Sequence, residues 1–255
     1  EAQLDILAFE ARPQSLVLQA NNYQVPSVGE EQVELSYDNL NLSGLGDAVD
    51  LLLAKSEGAE SFDFNYELPV NSLNTRIGIE GSLSQSEVIT DALQDLEIEN
   101  EFQQLGLSAK HPFIDTVNRH LELELLGVYR RSESSLRGDP ADFTDGSRNG
   151  VTRVFVTRLS TQWTERKLNE ILIWRGTVNK GFHFLGSSES SSEPDSDFLS
   201  FLTQAQWLKI WQRDSHDTLI RANAQWSHNT LLSMERYSLG GRYSVRGYAE
   251  NQFVR

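Results

Sequence analysis

Hydrophobic and polar residues alternate along much of this chain, and the alternation is clearest in residues 61–68. Every second position there is apolar, as at Phe62 and Phe64, and the positions between carry polar side chains such as Asp63. Successive side chains of a β-strand point to opposite faces, so this pattern predicts a strand with one apolar and one polar face. A soluble β-sandwich has similar strands, and the recurrence of the pattern favours a membrane barrel.

The alternation recurs in segments long enough to cross a bilayer when tilted. It predicts about eleven strands and the start of a twelfth near residue 252. These strands span residues 15–22, 31–39, 47–56, 61–68, 74–84, 99–108, 119–132, 150–163, 167–180, 198–213 and 217–227. The fold class is therefore all-β, a transmembrane antiparallel β-barrel.

Two of these strands, 150–163 and 167–180, alternate only weakly, because apolar residues are adjacent at 154–156 and 171–173. Such strands would contact lipid on one side and a packed lumen or a neighbour on the other. The segment 88–102 could form a short amphipathic helix, but we interpret it as a loop that leads into a strand from Glu99.

The connections between the predicted strands have two lengths. Links such as 68–74 and 164–166 are short and carry turn residues, whereas 133–149, 185–197 and 227–252 are long and polar. Short turns on one side and long loops on the other are typical of outer-membrane barrels. Residues 187–197, which include the serine-rich stretch 187–192, are taken alone equally typical of a disordered linker.

The polar face of a barrel strand lines the lumen. The alternation predicts lumen-facing positions at Asp63, Asn65, Glu67, Arg76, Glu80, Glu122, Glu124, Arg221, Asn223 and Gln225. The five tryptophans, at 163, 174, 207, 211 and 226, lie within the predicted strands or near their ends. As a set they fit the aromatic girdles of a membrane barrel, and core packing is the competing explanation.

Composition narrows the class further. The chain has no cysteine, which excludes disulfide scaffolds and thiolate sites. Its formal net charge of −15 argues against a nucleic-acid partner. It contains no run of apolar residues long enough for a transmembrane helix.

Catalytic and metal-binding patterns are weak in this sequence. The five histidines are scattered without the spacing of a metal site, and no Gly-x-Ser-x-Gly elbow or phosphate-binding loop is present. Glu122 and Glu124 point the same way from one strand, so a pair of glycosidase-like carboxylates stays an alternative to a solvated lumen face. We expect no enzyme activity and no metal or cofactor.

The most specific motif lies near the end of the chain, where two adjacent glycines precede a Val-Arg-Gly-Tyr sequence. The motif residues are Gly240, Gly241, Val245, Arg246, Gly247 and Tyr248. Upstream, residues 35–47, 62–69, 74–78, 111–113, 225–227, 231–232 and 237–241 continue in a matching order. Together they resemble the barrel of the two-partner secretion transporters of the haemolysin secretion/activation family, within the outer-membrane polypeptide-transporting barrels.

This resemblance implies a domain arrangement. Residues 1–13 look like the end of a periplasmic polypeptide-transport-associated domain and its link. Residues 14–255 look like the N-terminal two-thirds or so of a barrel, about 11–12 of some 16 strands. The inward-folding loop would lie at about 228–251. The upstream domains and the last strands of such a protein are then expected outside this sequence.

The resemblance also implies a role for the motif. In such transporters the loop folds into the lumen, and its arginine meets an acidic residue on a strand near the C-terminus. That role falls to Arg246, and the motif glycines allow tight backbone paths. A buried guanidinium needs a carboxylate or carbonyl partner.

The function that follows from the resemblance is translocation. The protein would lie in the outer membrane of a Gram-negative bacterium and secrete a large β-rich partner of the haemolysin or adhesin type through its barrel, without ATP. Its partners would be that secreted protein and outer-membrane lipid, with no nucleic acid, and it would be a monomer. The alternatives are a barrel-assembly insertase of the same superfamily and, less favoured, a passive porin.

Overall fold

The computed structural model of the protein describes residues 13–189, 194–211, 216–239 and 253–254. Within these residues the fold is built from β-strands and three single 3₁₀ turns, at Pro26–Val28, Gln94–Leu96 and Ser233–Glu235. The strands are β1 (Gln14–Asn21), β2 (Gln32–Asn39), β3 (Ala48–Ser56), β4 (Ala59–Pro69), β5 (Arg76–Glu87), β6 (Ile98–Asp115), β7 (Arg119–Leu136), β8 (Asp139–Pro140), β9 (Val151–Lys167), β10 (Glu170–Phe182), β11 (Leu199–Trp211), β12 (His216–Ser227), β13 (Ser238–Leu239) and β14 (Phe253–Val254).

The strands from β1 to β12 form one antiparallel sheet of 12 strands. Each long strand pairs with the next in chain order, β9 follows β7, and the short β8 extends one end of β7. In the described part of the chain, β1 and β12 each have a neighbour on one side only. A second, two-stranded sheet joins β13 to β14. No helix of the described residues is long and apolar enough to cross a membrane.

The sheet confirms the predicted all-β fold, with eleven long strands close to the predicted positions. The main difference is in β6, which continues to Asp115 where the prediction ends at 108. Pro112 lies in this extension, and the register shifts between Pro112 and Ile114. Such a bulge accommodates a proline in a paired strand, and it interrupts the alternation on which the prediction depends. The segment 88–97 is a loop, as predicted.

Consecutive antiparallel strands place their connections alternately at two ends of the sheet. One end, here called the long-loop end, carries connections 22–31, 88–97, 137–150, 183–198 and 228–237, and also the tight turn 57–58. The other, the short-turn end, carries 40–47, 70–75, 116–118 and 168–169 among the described residues. In bacterial outer-membrane barrels the short turns are periplasmic and the long loops external.

The register of the strands separates a polar face from an apolar face. Residues directly opposite each other in an antiparallel ladder point to the same face. Asn65 lies opposite Glu80 in this way, and Lys110 lies opposite Glu124. We call the face that they share the polar face, and the opposite one the apolar face.

The apolar face is exposed over most of its area. Leu18 on β1 is 72% exposed and Leu107 on β6 is 65% exposed. Leu16, Leu35, Leu53, Ile77, Leu83, Leu105, Leu125 and Leu159 are exposed on the same face. Soluble monomers rarely expose apolar patches of this extent, and lipid covers such a face in a membrane barrel.

All five tryptophans lie on the apolar face. Trp163 is opposite Trp174, and Trp207 is opposite both Leu172 and Ile220. Several of the indole N–H groups donate to a neighbouring strand: Trp174 to Thr203 Oγ1 at 3.0 Å, Trp207 to Glu170 Oε1 at 3.1 Å and Trp211 to Thr218 Oγ1 at 3.1 Å. A tryptophan whose ring meets lipid needs such an acceptor for its polar edge.

The turn 40–47 at the short-turn end is held by its own side chains. The backbone N–H of Ser43 donates to Asp47 Oδ1 at 2.9 Å, the Ser43 hydroxyl donates to the same oxygen at 2.8 Å, and Tyr66 donates to Asp47 Oδ2 at 3.0 Å. Asn41 Oδ1 accepts from the N–H of Gly46 at 2.7 Å. Gly46 adopts φ +77°, a conformation that favours glycine.

Candidate functional site

The ten positions predicted to face the lumen all lie on the polar face of the sheet. They come from β4, β5, β7 and β12, and the ladders between these strands align them. Those on β12 are more open than those nearer the middle of the sheet: Arg221 and Asn223 are exposed, whereas the side chains of Glu67 and Glu124 are 14% and 13% exposed. The buried carboxylates therefore need partners on the sheet itself.

A row of alternating charges supplies those partners near the short-turn end. Lys110 on β6 lies between two carboxylates, 2.5 Å from Glu67 Oε1 and 3.4 Å from Glu124 Oε1. Glu124 Oε2 accepts from Arg175 at 2.6 Å, and Arg76 is 3.7 Å from Glu67. The row joins strands from β4 to β10. Charges that alternate in sign across neighbouring strands offset the free-energy cost of one another's desolvation. Their ion pairs also fix the side chains in place.

A second feature of the polar face is the segment 228–239, which follows β12 and lies against the sheet. Leu232 is fully buried and Leu231 is 6% exposed. They belong to one apolar cluster with Leu126, Val128, Val154, Val156 and Phe198. On β7 and β9 these apolar residues occupy positions that would otherwise be polar. The cluster therefore attaches the segment to the sheet by burial of apolar surface.

Glu235 is the charged centre of this segment, and its side chain is 3% exposed. Arg130 on β7 donates to Glu235 Oε1 at 3.0 Å, and Arg158 on β9 donates to Oε2 at 2.9 Å. Arg130 also donates to the carbonyl of Met234 at 3.0 Å. Removal of one partner from a buried ion pair typically costs roughly 3–5 kcal/mol, because the remaining charge is left buried.

Gln225 holds the backbone of the same segment from β12. Its Nε2 donates to the carbonyl of Glu235 at 2.8 Å, and its Oε1 accepts from the N–H of Tyr237 at 2.8 Å. Arg236 turns back and donates to the carbonyl of Leu231 at 2.8 Å. One of the predicted lumen-facing residues thus has a specific task, which is to bind the main chain of the docked segment.

The polar contacts of Glu235 extend across the sheet. Arg130 Nε donates to Gln104 Oε1 at 2.8 Å, and Gln104 Nε2 donates to Glu80 Oε1 at 3.0 Å. Glu80, Gln104, Arg130, Glu235 and Arg158 therefore form one continuous network from β5 to β9. A network whose groups are paired in this way defines one arrangement of the side chains.

The docked segment leads directly to the Val-Arg-Gly-Tyr motif. Its last described residues, Ser238 and Leu239, pair with Val254 and Phe253. The motif residues Gly240, Gly241, Val245, Arg246, Gly247 and Tyr248 lie between these paired strands in the sequence, outside the described residues. The described structure therefore places the two ends of the motif segment beside each other, next to the polar face.

Sequence reasoning missed Arg130, Arg158 and Glu235. Glu235 lies in a long polar connection, and nothing in its local pattern distinguishes it from the other acids. A signal was nevertheless present in the weak alternation of 150–163. Val154 and Val156 are fully buried under the docked segment, while Phe155 between them contacts Phe182 and Phe184 on the apolar face. At residues 154–156 both faces of this strand have neighbours, one of the alternatives that the adjacent apolar residues predicted.

The glutamates Glu67 and Glu124 of the polar face lie among cations. In the parts of the chain that the structure describes, no three histidine or acidic side chains converge as a metal site would need. Glu122 and Glu124 lie on the polar face as neighbours along β7, and Glu124 is paired with Lys110 and Arg175. The site therefore consists of the charged polar face and the segment 228–239 docked on it.

A two-faced antiparallel sheet of long strands, with short turns at one end and long loops at the other, defines the class: this is part of an outer-membrane β-barrel. The chain belongs to the haemolysin secretion/activation protein family ShlB/FhaC/HecB, whose model matches residues 1–254. The protein is therefore located in the outer membrane of a Gram-negative bacterium.

Solved structures share this fold. CdiB from Escherichia coli is similar over 95% of this chain and 46% of its own, with 20% identity and a TM-score of 0.82. CdiB from Acinetobacter baumannii is similar over 94% and 43%, with 15% identity and a TM-score of 0.72. BamA from Haemophilus ducreyi lacking POTRA domains 1–3 is similar over 95% and 47%, with 14% identity and a TM-score of 0.61.

The chain spans less than half the length of these solved structures. At such low identities the likeness concerns the fold alone. A comparison with curated protein sequences gives no match.

Proposed function

We propose that this chain forms part of an outer-membrane translocator that secretes a large β-rich partner protein through its lumen without ATP. The observation that carries the proposal is the docking of segment 228–239 on the polar face, directly before the Val-Arg-Gly-Tyr motif. Membership of the haemolysin secretion/activation family supports the same function.

In this proposal the polar face lines the lumen and the apolar face contacts lipid. The ten aligned polar positions would then meet the translocating chain, and the protein would work as a monomer without a catalytic step. The row from Arg76 to Arg175 lies near the short-turn end, which is the periplasmic entrance in such a barrel. An unfolded partner that enters there would meet charges of both signs, each already paired, so no single charge would trap it.

The motif keeps its proposed role as the functional loop. Gly240, Gly241 and Gly247 would permit a tight backbone path, and Arg246 would bind an acidic residue within the lumen. Residues 1–13 are proposed to end a periplasmic transport-associated domain, and β1 begins at Gln14, directly after them. Residues 14–255 would be the N-terminal part of the barrel.

A barrel-assembly insertase is the second candidate, and the likeness to BamA favours it specifically. It has the same class of barrel, so the wall described above would suit it as well. The two functions differ in the proteins that they deliver. A translocator delivers one secreted protein, whereas an insertase delivers many membrane proteins.

Depletion of the full-length protein in its native host tests the proposal. We expect the growth medium to lose one large protein, which would accumulate in the periplasm or be degraded, while other outer-membrane proteins keep their abundance. Quantitative proteomics of the medium and of the outer membrane measures both. A general fall in outer-membrane proteins would support the insertase instead, and loss of small-solute uptake alone would support a porin.

A further inference from the structure

We propose that Glu235 is a positioning residue that fixes where the motif segment 240–252 leaves the wall of the barrel. This inference rests on the proposed function, since it assigns a role to the docked segment of that same site. It concerns a residue outside the motif, held by two arginines on strands far from it in sequence.

Glu235 is held by arginines from two strands of the sheet. Glu235 Oε1 accepts from Arg130 at 3.0 Å and from Arg158 at 3.1 Å, and its Oε2 accepts from Arg158 at 2.9 Å. The arginines stand on adjacent strands, β7 and β9. Arg130 also binds the carbonyl of Met234. The segment is therefore fixed by side chain and main chain together, in direction as well as in distance.

The apolar cluster cannot supply that direction. Leu231 and Leu232 attach the segment by burial, which is non-directional and tolerates sliding between equivalent contacts. Hydrogen bonds from a planar guanidinium have strict geometry. Glu235 therefore sets the register of the segment on the wall, while the leucines contribute adhesion.

The two arginines place their positive charges around the carboxylate of Glu235. The side chains of Arg130 and Arg158 are only 16% and 23% exposed, and they converge on one point. Among the described residues, Glu235 is the one carboxylate within 4.0 Å of either guanidinium. Without it, two half-buried cations would face each other, which is unfavourable. The wall at this place is built to receive a carboxylate.

The motif begins only a few residues after Glu235. Gly240 follows Glu235 by five residues, so a fixed Glu235 keeps it within about 18 Å, since an extended chain spans at most ~3.6 Å per residue. The other limb is restrained too, because Ser238 and Leu239 pair with Val254 and Phe253. One anchored carboxylate therefore locates both ends of the segment that carries Arg246.

The test measures the position of the segment in the full-length protein, without any partner. Spin labels are placed on cysteines introduced at Ser61 on the polar face of β4 and at Ser238, and electron paramagnetic resonance gives their distance distribution. The wild type should give one narrow component. Glu235→Gln keeps the size of the side chain but removes its charge, and we expect it to lose most of that component.

Two further variants isolate the cause. Arg158→Gln should broaden the distribution in the same way, and the double variant should be no worse than Glu235→Gln alone, because residues that act as a pair are not additive. The control is Glu67→Gln, which removes another ion-paired carboxylate of the polar face, 14% exposed, whose ion-pair partners are Arg76 and Lys110 and not residues of the segment. The control should keep the narrow component.

Three outcomes would overturn the proposal. An unchanged distribution in Glu235→Gln would mean that the leucines suffice, and equal broadening in Glu67→Gln would mean a general effect on the wall. Failure of Glu235→Gln to reach the folded, heat-modifiable form would assign the residue to barrel assembly instead. If the distances behave as expected but depletion of the protein spares secretion, the positioning role stands and the proposed function fails.

Discussion

The contacts of single side chains explain the order of polar residues and glycines in the turn 40–47. Asp47 is fully buried and accepts from Ser43 and Tyr66, while Asn41 binds the N–H of Gly46. Sequence alone recognised this stretch as a hairpin similar to that of a family. The contacts explain this sequence, because the side chains of Asn41 and Asp47 accept hydrogen bonds from donors in the turn and from Tyr66 on β4.

The pKa of Asp47 gives a prediction at this scale. Burial raises the pKa of its carboxyl, but the hydrogen bonds from Ser43 and Tyr66 outweigh burial and hold the pKa below its usual value. A lowered folded-state pKa stabilises the protein above the unfolded value of about 3.9, and the effect is lost as pH falls through the folded pKa. Asp47→Asn should therefore destabilise the full-length protein at about pH 7 more than at about pH 2.

Thermal unfolding of the two proteins in detergent at both pH values measures this difference. Asp91→Asn is the control, since Asp91 is exposed in the loop 88–97. A destabilisation by Asp47→Asn that is equal at both pH values would contradict the assigned role of the charge.

The residues that the sequence could not reveal at this scale are those whose partners are distant. Glu235 is separated from Arg130 and Arg158 by most of the second half of the chain. Their meeting depends on the order of β7, β9 and β12 in the sheet and on the return of the chain after Ser227. No local pattern encodes that return. Gln225, by contrast, was found because it shares the alternation of its own strand.

At the scale of the element, regular alternation of apolar and polar residues predicts the strands. Where the alternation is interrupted, the structure shows a packed surface or a bulge. Strands with regular alternation, such as β4, have one side on the polar face and the other on the apolar face of the sheet. β9 departs from the pattern because Val154 and Val156 are buried under Leu232 on the polar face. β6 departs from it at the bulge near Pro112. In both cases a local exception has a tertiary cause.

Two strand glycines give a prediction for these covered surfaces. A Cβ at Gly181 on β10 would overlap the backbone carbonyl of Ser196 and the ring of Phe198, which covers the apolar cluster. A Cβ at Gly127 on β7 would meet only the ring of Phe155 at an ordinary 3.6 Å. Overpacking costs about 1–3 kcal/mol, so Gly181→Ala should lower the unfolding temperature while Gly127→Ala leaves it nearly unchanged.

The midpoint of the heat-modifiability transition of the full-length protein compares the two variants directly. Both replace a glycine within a strand by the same residue, so differences in strand propensity largely cancel. Equal midpoints would mean that segment 194–198 does not pack on β10 as described.

At the scale of the whole molecule, the strands from β1 to β12 form one sheet whose two faces suit different environments. The apolar face with its tryptophans suits lipid, and the polar face suits a lumen whose charges are paired on the wall. Sequence patterns sufficed for this architecture because a membrane barrel repeats one simple rule in every strand. They did not suffice for the docked segment, because a connection between strands obeys no such rule.

The central claim is that the segment docked on the polar face presents a loop that translocation requires. Arg246→Ala in the full-length protein tests it most directly, with Arg242→Ala as a matched control in the same connection. We expect Arg246→Ala to insert into the outer membrane at normal abundance and to secrete at least about tenfold less partner, since a hydrogen-bonded charge contributes about 1.5–3 kcal/mol. Immunoblots of partner protein in the medium and in the periplasm measure the effect, and secretion from Arg246→Ala equal to that of the wild type would contradict the account.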